Sequence, residues 1–219
     1  MAICNVHVVV TANQDAAYLE IINGADMATP DGAPVAWALR RQGFNDQPRI
    51  SGPDVMWALC ARCAQEGLPI FCYGSTDSTL NLLAARLSVA FPTLQIAVES
   101  PPFRPLSPEE DAEAISRINA SGAGLVFVGL GCPKQERWMA EHRHKIQAVM
   151  LGVGAAFDFH AGTVARAPAW FRNNGLEWLH RLFSEPKRLW KRYLLTNTAF
   201  VIGLTKQLAT RAFSSSKPE

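Results

Sequence analysis

No stretch of this chain reaches the roughly 18 to 20 continuous apolar residues that a membrane span requires. The opening MAICNVHVVVTANQ lacks a basic n-region and a small-residue cleavage site, which argues against a signal peptide and for a strand. Cysteine is sparse and odd in number, with five residues (Cys4, Cys60, Cys63, Cys72, Cys132) scattered along the chain. That usage fits a reducing cytoplasm rather than a disulfide framework. Cys60-x-x-Cys63 has no second Cys or His pair at zinc spacing, so it reads as two residues of one helix. Glycine is absent from Thr11-Ala12-Asn13-Gln14, the first candidate turn between strand and helix. A nicotinamide-dependent oxidoreductase would need the dinucleotide fingerprint there.

What is present is a regular alternation. Residues 5–11, 26–29, 69–73, 94–99, 124–130 and 148–153 read as strands. Between them, residues 14–23, 34–42, 54–66, 76–90, 107–121 and 133–144 read as helices. The helix after Ser107 is announced by the capping box Ser107-Pro108-Glu109-Glu110. Strands separated by helices of this length imply right-handed crossovers and a mainly parallel sheet with helices on both faces. The expected fold is therefore a Rossmann-like α/β domain over 1–163. A helical, aromatic-rich appendage follows over 164–219, with helices at 167–174 and 176–185, one from Pro186, and a last stretch to about Phe213.

Charge divides at the same place. Residues 164–219 carry ten Lys/Arg against three Asp/Glu, a balance of +7, whereas residues 1–163 carry eleven against sixteen, a balance of −5. A basic tail on an acidic body points to an anionic partner. The cations stay in the tail with no recognisable nucleic-acid motif, which argues against a nucleic-acid binder.

Open parallel sheets bind ligands beyond the carboxyl ends of their strands. The polar residues that follow the expected strands are Thr11 and Asn13, Asp31 in Pro30-Asp31-Gly32, and Gly131 to Glu136. After the last strand come Gly154 and Phe157-Asp158-Phe159-His160. Gly129-Leu130-Gly131 before Pro133 is either a tight turn or a helix start whose free N–H groups favour a phosphate. Lys134 sits where a third glycine of the dinucleotide pattern would fall. Asp31 is either a turn former or a carboxylate held as a general base. Asp158, between two Phe, reads as a structural hydrogen-bonding group, and His160 as a packing or capping residue.

Three long stretches, VFVGLGCPKQERWM (126–139), GVGAAFDFHAGTVARAPAWF (152–171) and GLEWLHRLFSEPKRLWKRYL (175–194), closely resemble the WecG/TagA/CpsF family of glycosyltransferases. Upstream, TAN (11–13), PDGAPV (30–35), RISGPD (49–54) and YGS (73–75) fall in the family order. The resemblance implies an inverting transferase acting in cell-surface polysaccharide biosynthesis. Its donor would be a UDP-sugar carrying N-acetylmannosamine or a related hexose or uronic acid, and its acceptor would be linked to polyprenyl diphosphate. It further implies that Asp31 is the general base, that Thr11 and Asn13 line the donor pocket, and that Arg49 holds the diphosphate or the reacting sugar. Gln135 would contact the nucleotide or sugar, beside the Gly131 turn. Arg181, Arg188 and Arg192 match the family's basic appendage, which closes over the site and meets the inner face of the cell membrane.

Many nucleotide-sugar transferases hold a divalent metal with a D-x-D motif, and none occurs here. The expectation is a metal-independent enzyme without a cofactor, in which arginines and the helix start at Pro133 neutralise the leaving group. The alternative is a non-catalytic nucleotide-sugar-binding module recruited to the membrane. A homo-oligomeric state is left open by the sequence.

Overall fold

The computed structural model describes residues 1–215, and the side chains of all of these except Asn173, Arg188 and 211–215. By contacts the chain divides into two units. One holds Met1–Ile3, Glu20–Thr29 and Ile50–Arg166, and the other holds Cys4–Leu19, Pro30–Arg49 and Ala167–Glu219.

The sheet has six strands: β1 (Ala2–Cys4), β2 (Ala28–Pro30), β3 (Ile70–Gly74), β4 (Ile96–Glu99), β5 (Leu125–Gly129) and β6 (Val149–Gly152). Their spatial order is β2-β1-β6-β5-β3-β4. The neighbours β1–β6, β6–β5, β5–β3 and β3–β4 pair parallel, with Cys72 opposite Phe127 and Gly74 opposite Gly129. A mainly parallel α/β fold is what the alternation predicts.

Side chains alternate across β3 and β5, as a period of two demands. Ile70, Cys72 and Phe127 enter one core, which they share with Met56 and Cys60 of α4 (Gly52–Glu66) and Leu80, Leu83 and Leu87 of α5 (Asp77–Ala90). Phe71, Tyr73, Val126 and Val128 enter the other. There they meet Ala114 and Ile118 of α6 (Pro108–Ala120) and Met139 of α7 (Lys134–His142). Each fully buried aliphatic or aromatic side chain contributes on the order of 1.5–3 kcal/mol. The strands are apolar on both faces because both are covered. The capping box forms as expected: the Ser107 hydroxyl accepts from the Glu110 N–H, and the Glu110 carboxylate accepts from the Ser107 N–H at 2.9 Å. Cys60 and Cys72 are buried in the first core, where desolvation pushes the Cys60 thiol up to about 12 and Cys72 higher still. Thiols in that state behave as small hydrophobes.

Two expectations are corrected. The β-branched run at 5–11 is not a strand: β1 ends at Cys4, and Val6–Gln14 is a helix, α1. Asn5 is its N-cap, with the side-chain oxygen accepting from the N–H groups of His7 at 3.0 Å and Val8 at 3.2 Å. That cap, with burial of Val8, Val10 and Ala12, overrides the strand preference of the valines. The Phe157–His160 stretch, to which the alternation assigns no element, forms most of a short helix, α8 (Ala156–Ala161), closed by Gly162 in the left-handed region. The last two helical stretches are one, α11 (Pro186–Ser215), since Gly203 does not interrupt it.

The remaining helices are α2 (Ala16–Asn23), α3 (Ala33–Arg41), α9 (Ala169–Asn173) and α10 (Glu177–Ser184). In the second unit α1 and α10 both pack on α11. Leu189 is fully buried there, and Trp178 meets Tyr193 edge-on at 6.2 Å. Trp170, Phe183 and Trp190 stay exposed. Among the described residues no helix is long and apolar enough to cross a membrane.

Candidate active site

Asp31 follows β2, and its N–H donates to the Cys4 carbonyl at 2.9 Å, which ties the turn to the end of β1. Gly32 then takes φ +82°, a conformation that suits glycine, and opens α3 with Pro34 in its first turn. The turn leaves the Asp31 carboxyl desolvated. Its pKa is pushed up to about 6, first by burial and then by the Glu177 carboxylate. Arg49, the Gly32 N–H and Arg181 pull in the other direction. Arg49 pairs with Glu177 at 3.1 Å, and both side chains are mostly buried. Arg181 stands one turn after Glu177 on α10. Asp31, Arg49, Glu177 and Arg181 thus form an alternating set of charges within the second unit, in which a carboxylate stays ionisable close to neutral pH.

The same unit holds polar atoms with unmet hydrogen-bonding capacity. His7 Nδ1, His180 Nδ1, Arg172 Nε and Arg192 Nε are each buried without a hydrogen-bond partner. Burial, with Arg192 nearby, lowers the His7 pKa, so its ring is neutral at physiological pH. Buried polar groups are nearly always satisfied in folded proteins, so each of these atoms is a candidate partner for a polar ligand.

The other expected site residues have local partners of their own. Thr11 and Asn13 lie on α1, where the Thr11 hydroxyl donates to the His7 carbonyl and the Asn13 amide to the Val9 carbonyl. The residue that follows β1 is Asn5. Gln135 and Gly131 belong to the other unit. The Gln135 side chain is buried, and its carbonyl oxygen accepts from Gly131 N–H at 3.2 Å and from Gly154 N–H at 3.1 Å. Its amide donates to Glu136 at 2.7 Å. Gln135 therefore staples the loops after β5 and β6, and the Gly131 N–H that suggested a phosphate site is already engaged. Asp158 accepts from the Thr163 hydroxyl, while His160 donates to the Pro53 carbonyl at 2.9 Å and stacks on Trp57. Arg192 is placed beside His7, whereas the Arg188 side chain lies outside the described residues.

Asn5, His7, Glu177 and His180 were not singled out from the sequence. Asn5 carried a signal, an Asn directly before a helical run. Glu177 and His180 sit inside GLEWLH, where only their spacing from arginines distinguishes them. Among the described residues no group of three His, Cys, Asp or Glu side chains could hold a metal ion.

Against known families, residues 1–214 match the description "Glycosyl transferase WecG/TagA/CpsF family". A match over essentially the whole chain, on a parallel α/β fold that holds a tunable carboxylate beside two arginines, makes this protein a member of the WecG/TagA/CpsF family, a glycosyltransferase of cell-surface polysaccharide biosynthesis.

Proposed function

We propose that the enzyme transfers N-acetylmannosamine, or a related hexose or uronic acid, from a UDP-sugar to a polyprenyl-diphosphate-linked acceptor with inversion. The observation that carries this reading is Asp31, a desolvated carboxyl with a pKa of about 6 between Arg49 and Arg181. At neutral pH it is ionised yet basic enough to take a proton from an acceptor hydroxyl. The hydroxyl oxygen then attacks the anomeric carbon, the bond from that carbon to the phosphate oxygen breaks, and its electron pair leaves on UDP. Arg49, Arg181 and Arg192, with Arg188, neutralise the charge that develops on the diphosphate. Glu177 orients Arg49, while Asn5, His7 and Thr11 supply donor-side contacts.

The test offers UDP-N-acetylmannosamine, UDP-glucose and UDP-glucuronate separately with a polyprenyl-diphosphate-linked N-acetylglucosamine, and reads products by mass spectrometry. One donor should give a lipid heavier by a single sugar, at the same rate with and without EDTA. Donor binding with no transfer from any of the three would favour the non-catalytic module. A strict need for magnesium or manganese would refute neutralisation by arginine alone.

The tail is proposed as a peripheral contact with the inner membrane face. Trp190 and Phe183 are exposed among cations, and such rings favour the headgroup region. Each Lys or Arg at an anionic surface contributes about 1 kcal/mol. Combining Arg188→Glu, Lys191→Glu and Arg192→Glu should therefore abolish cosedimentation with anionic liposomes at low salt. Unchanged binding in that variant would give the tail a purely structural role.

A further inference from the structure

Within the second unit, α11 turns one side to its neighbours and leaves the other open. Leu189 and Thr196 are buried, and Phe200, Leu204 and Gln207 line the cleft shared with α1 and α3. These positions recur every three or four residues, so they lie on one side of the helix. On the opposite side Leu194, Leu195, Val201 and Ile202 are each more than half exposed. Thr198 stands between the two pairs and is exposed as well. Arg192 and Lys206 bracket a run in which no residue is charged. Monomeric proteins rarely leave a contiguous aliphatic patch of this kind in water.

The open side is balanced about Thr198. Leu195 and Val201 lie three residues before and after it, Leu194 and Ile202 four, and Trp190 and Lys206 eight. At 1.5 Å per residue these steps are about 4.5, 6 and 12 Å along the axis. A copy of the helix turned end for end about Thr198 therefore presents aliphatic side chains to aliphatic side chains on both sides of it. It also sets the exposed Trp190 opposite Lys206, and aromatic faces attract cations. Lys191 falls opposite Thr205. Two copies running in the same direction would instead bring Lys191 to Lys191 and Lys206 to Lys206, and like charges so juxtaposed repel. α11 carries no acidic residue to relieve that repulsion.

We infer that this face of α11 is a self-association surface, on which a second copy of the chain docks its own α11 antiparallel, about a twofold axis at Thr198. An isologous contact has this property: one surface is complementary to itself, and each residue meets its mirror partner. A lipid surface has no register and gives no reason for aliphatic pairs and cations to balance about one residue. Helices that lie in a membrane interface also carry Lys and Arg along the opposite face. Here the opposite face is taken up by α1 and α3. The membrane contact proposed above draws on the basic start of the helix, whereas this surface is its uncharged middle. A single helix pair of this length buries less than a standard interface, so the association is weak, with a dissociation constant of roughly 10–100 µM.

Sedimentation equilibrium of the full chain, without detergent, should show a monomer–dimer equilibrium in that range. Ile202→Lys, at an exposed position, should raise the dissociation constant roughly tenfold or more, with unchanged helix content by circular dichroism. Cysteine cross-linking reads the direction of pairing. The five native cysteines lie outside α11, so the wild type is the control. Under mild oxidation Thr198→Cys should form a disulfide-linked dimer. Leu194→Cys and Ile202→Cys should each fail alone, because equivalent residues stand about 12 Å apart along the axis, and should cross-link when mixed. A wild type that stays monomeric at about 0.5 mM, or a dimer that Ile202→Lys leaves intact, would overturn the proposal. So would a Leu194→Cys chain that cross-links to itself, since that requires parallel copies. A monomeric wild type whose binding to phosphatidylglycerol vesicles is lost in Ile202→Lys would give the face to a membrane instead.

Discussion

Asp31→Asn should lower turnover by roughly 100-fold or more, the usual scale for loss of a general base, while making the protein more stable at neutral pH. Both effects have one cause. The carboxyl pKa rises from 3.8 to about 6 on folding, chiefly through burial and the Glu177 carboxylate. A group whose folded pKa is raised contributes stability that is fully present below its unfolded value, and that stability is lost as pH rises through the folded value. Above pH 6 the ionised carboxylate therefore costs the fold about 2–3 kcal/mol, at about 1.4 kcal/mol per pH unit. Asparagine keeps the shape and removes that cost. At about 2–4 °C per kcal/mol for a chain of this size, the variant should melt several degrees higher at pH 7.5. The gain should shrink as pH falls through about 6 and vanish only well below the unfolded value of 3.8, where the carboxyl is neutral both folded and unfolded. Wild-type kcat/KM should rise with pH through about 6 and lose that limb in the variant. Melts and rates on the same samples check all three, and wild-type turnover in the variant would make Asp31 a turn former only.

The largest loss of stability is expected from Gly74→Ala. Gly74 ends β3 opposite Gly129 of β5 at φ +121°, where side chains are strained. An added Cβ would lie 2.7 Å from the Gly129 carbonyl carbon, 2.8 Å from its oxygen and 3.0 Å from Leu130 N. These are backbone atoms of a central strand, so no side chain can swing aside. Steric overlap and dihedral strain together should cost about 3–5 kcal/mol. Gly67→Ala is the matched control: its φ of +67° is also positive, but an added Cβ meets nothing within 4 Å. It should cost only about 1 kcal/mol. Denaturant midpoints for the pair separate strain from collision, and equal losses would show that the approach of β3 to β5 is not what demands the glycine.

The sheet was readable because β3, β5 and β6 are short apolar runs bounded by turns, and because helix signals such as the Ser107 box are local. The error at 5–11 is physical. Val8, Val9 and Val10 favour a strand by sterics, while the deciding forces are one Asn5 side chain and burial against α11, whose sequence lies far away. Asp31 was visible through its Pro-Asp-Gly turn and the family motif, but its proton affinity was not. That depends on Glu177 and Arg181, brought close only by the tertiary fold. Gln135 stood out in sequence, yet its bonds to two loops across the sheet follow from strand order alone.

The second unit is assembled from three separated pieces of chain, the last of them beginning at Ala167, after the whole of the first unit. This has a consequence during synthesis. Residues up to Arg166 supply every strand of the sheet, so the first unit can fold as the nascent chain emerges, in the usual N-to-C order. The piece that bears Asp31 leaves the ribosome early, without Glu177, Arg181 or the helix that covers α1. Contacts between such distant segments form late, because the connecting loop must close first. The base therefore acquires its tuned acidity only after α10 has emerged, and a chain stopped before Glu177 carries the carboxylate with ordinary acidity on an unfinished scaffold.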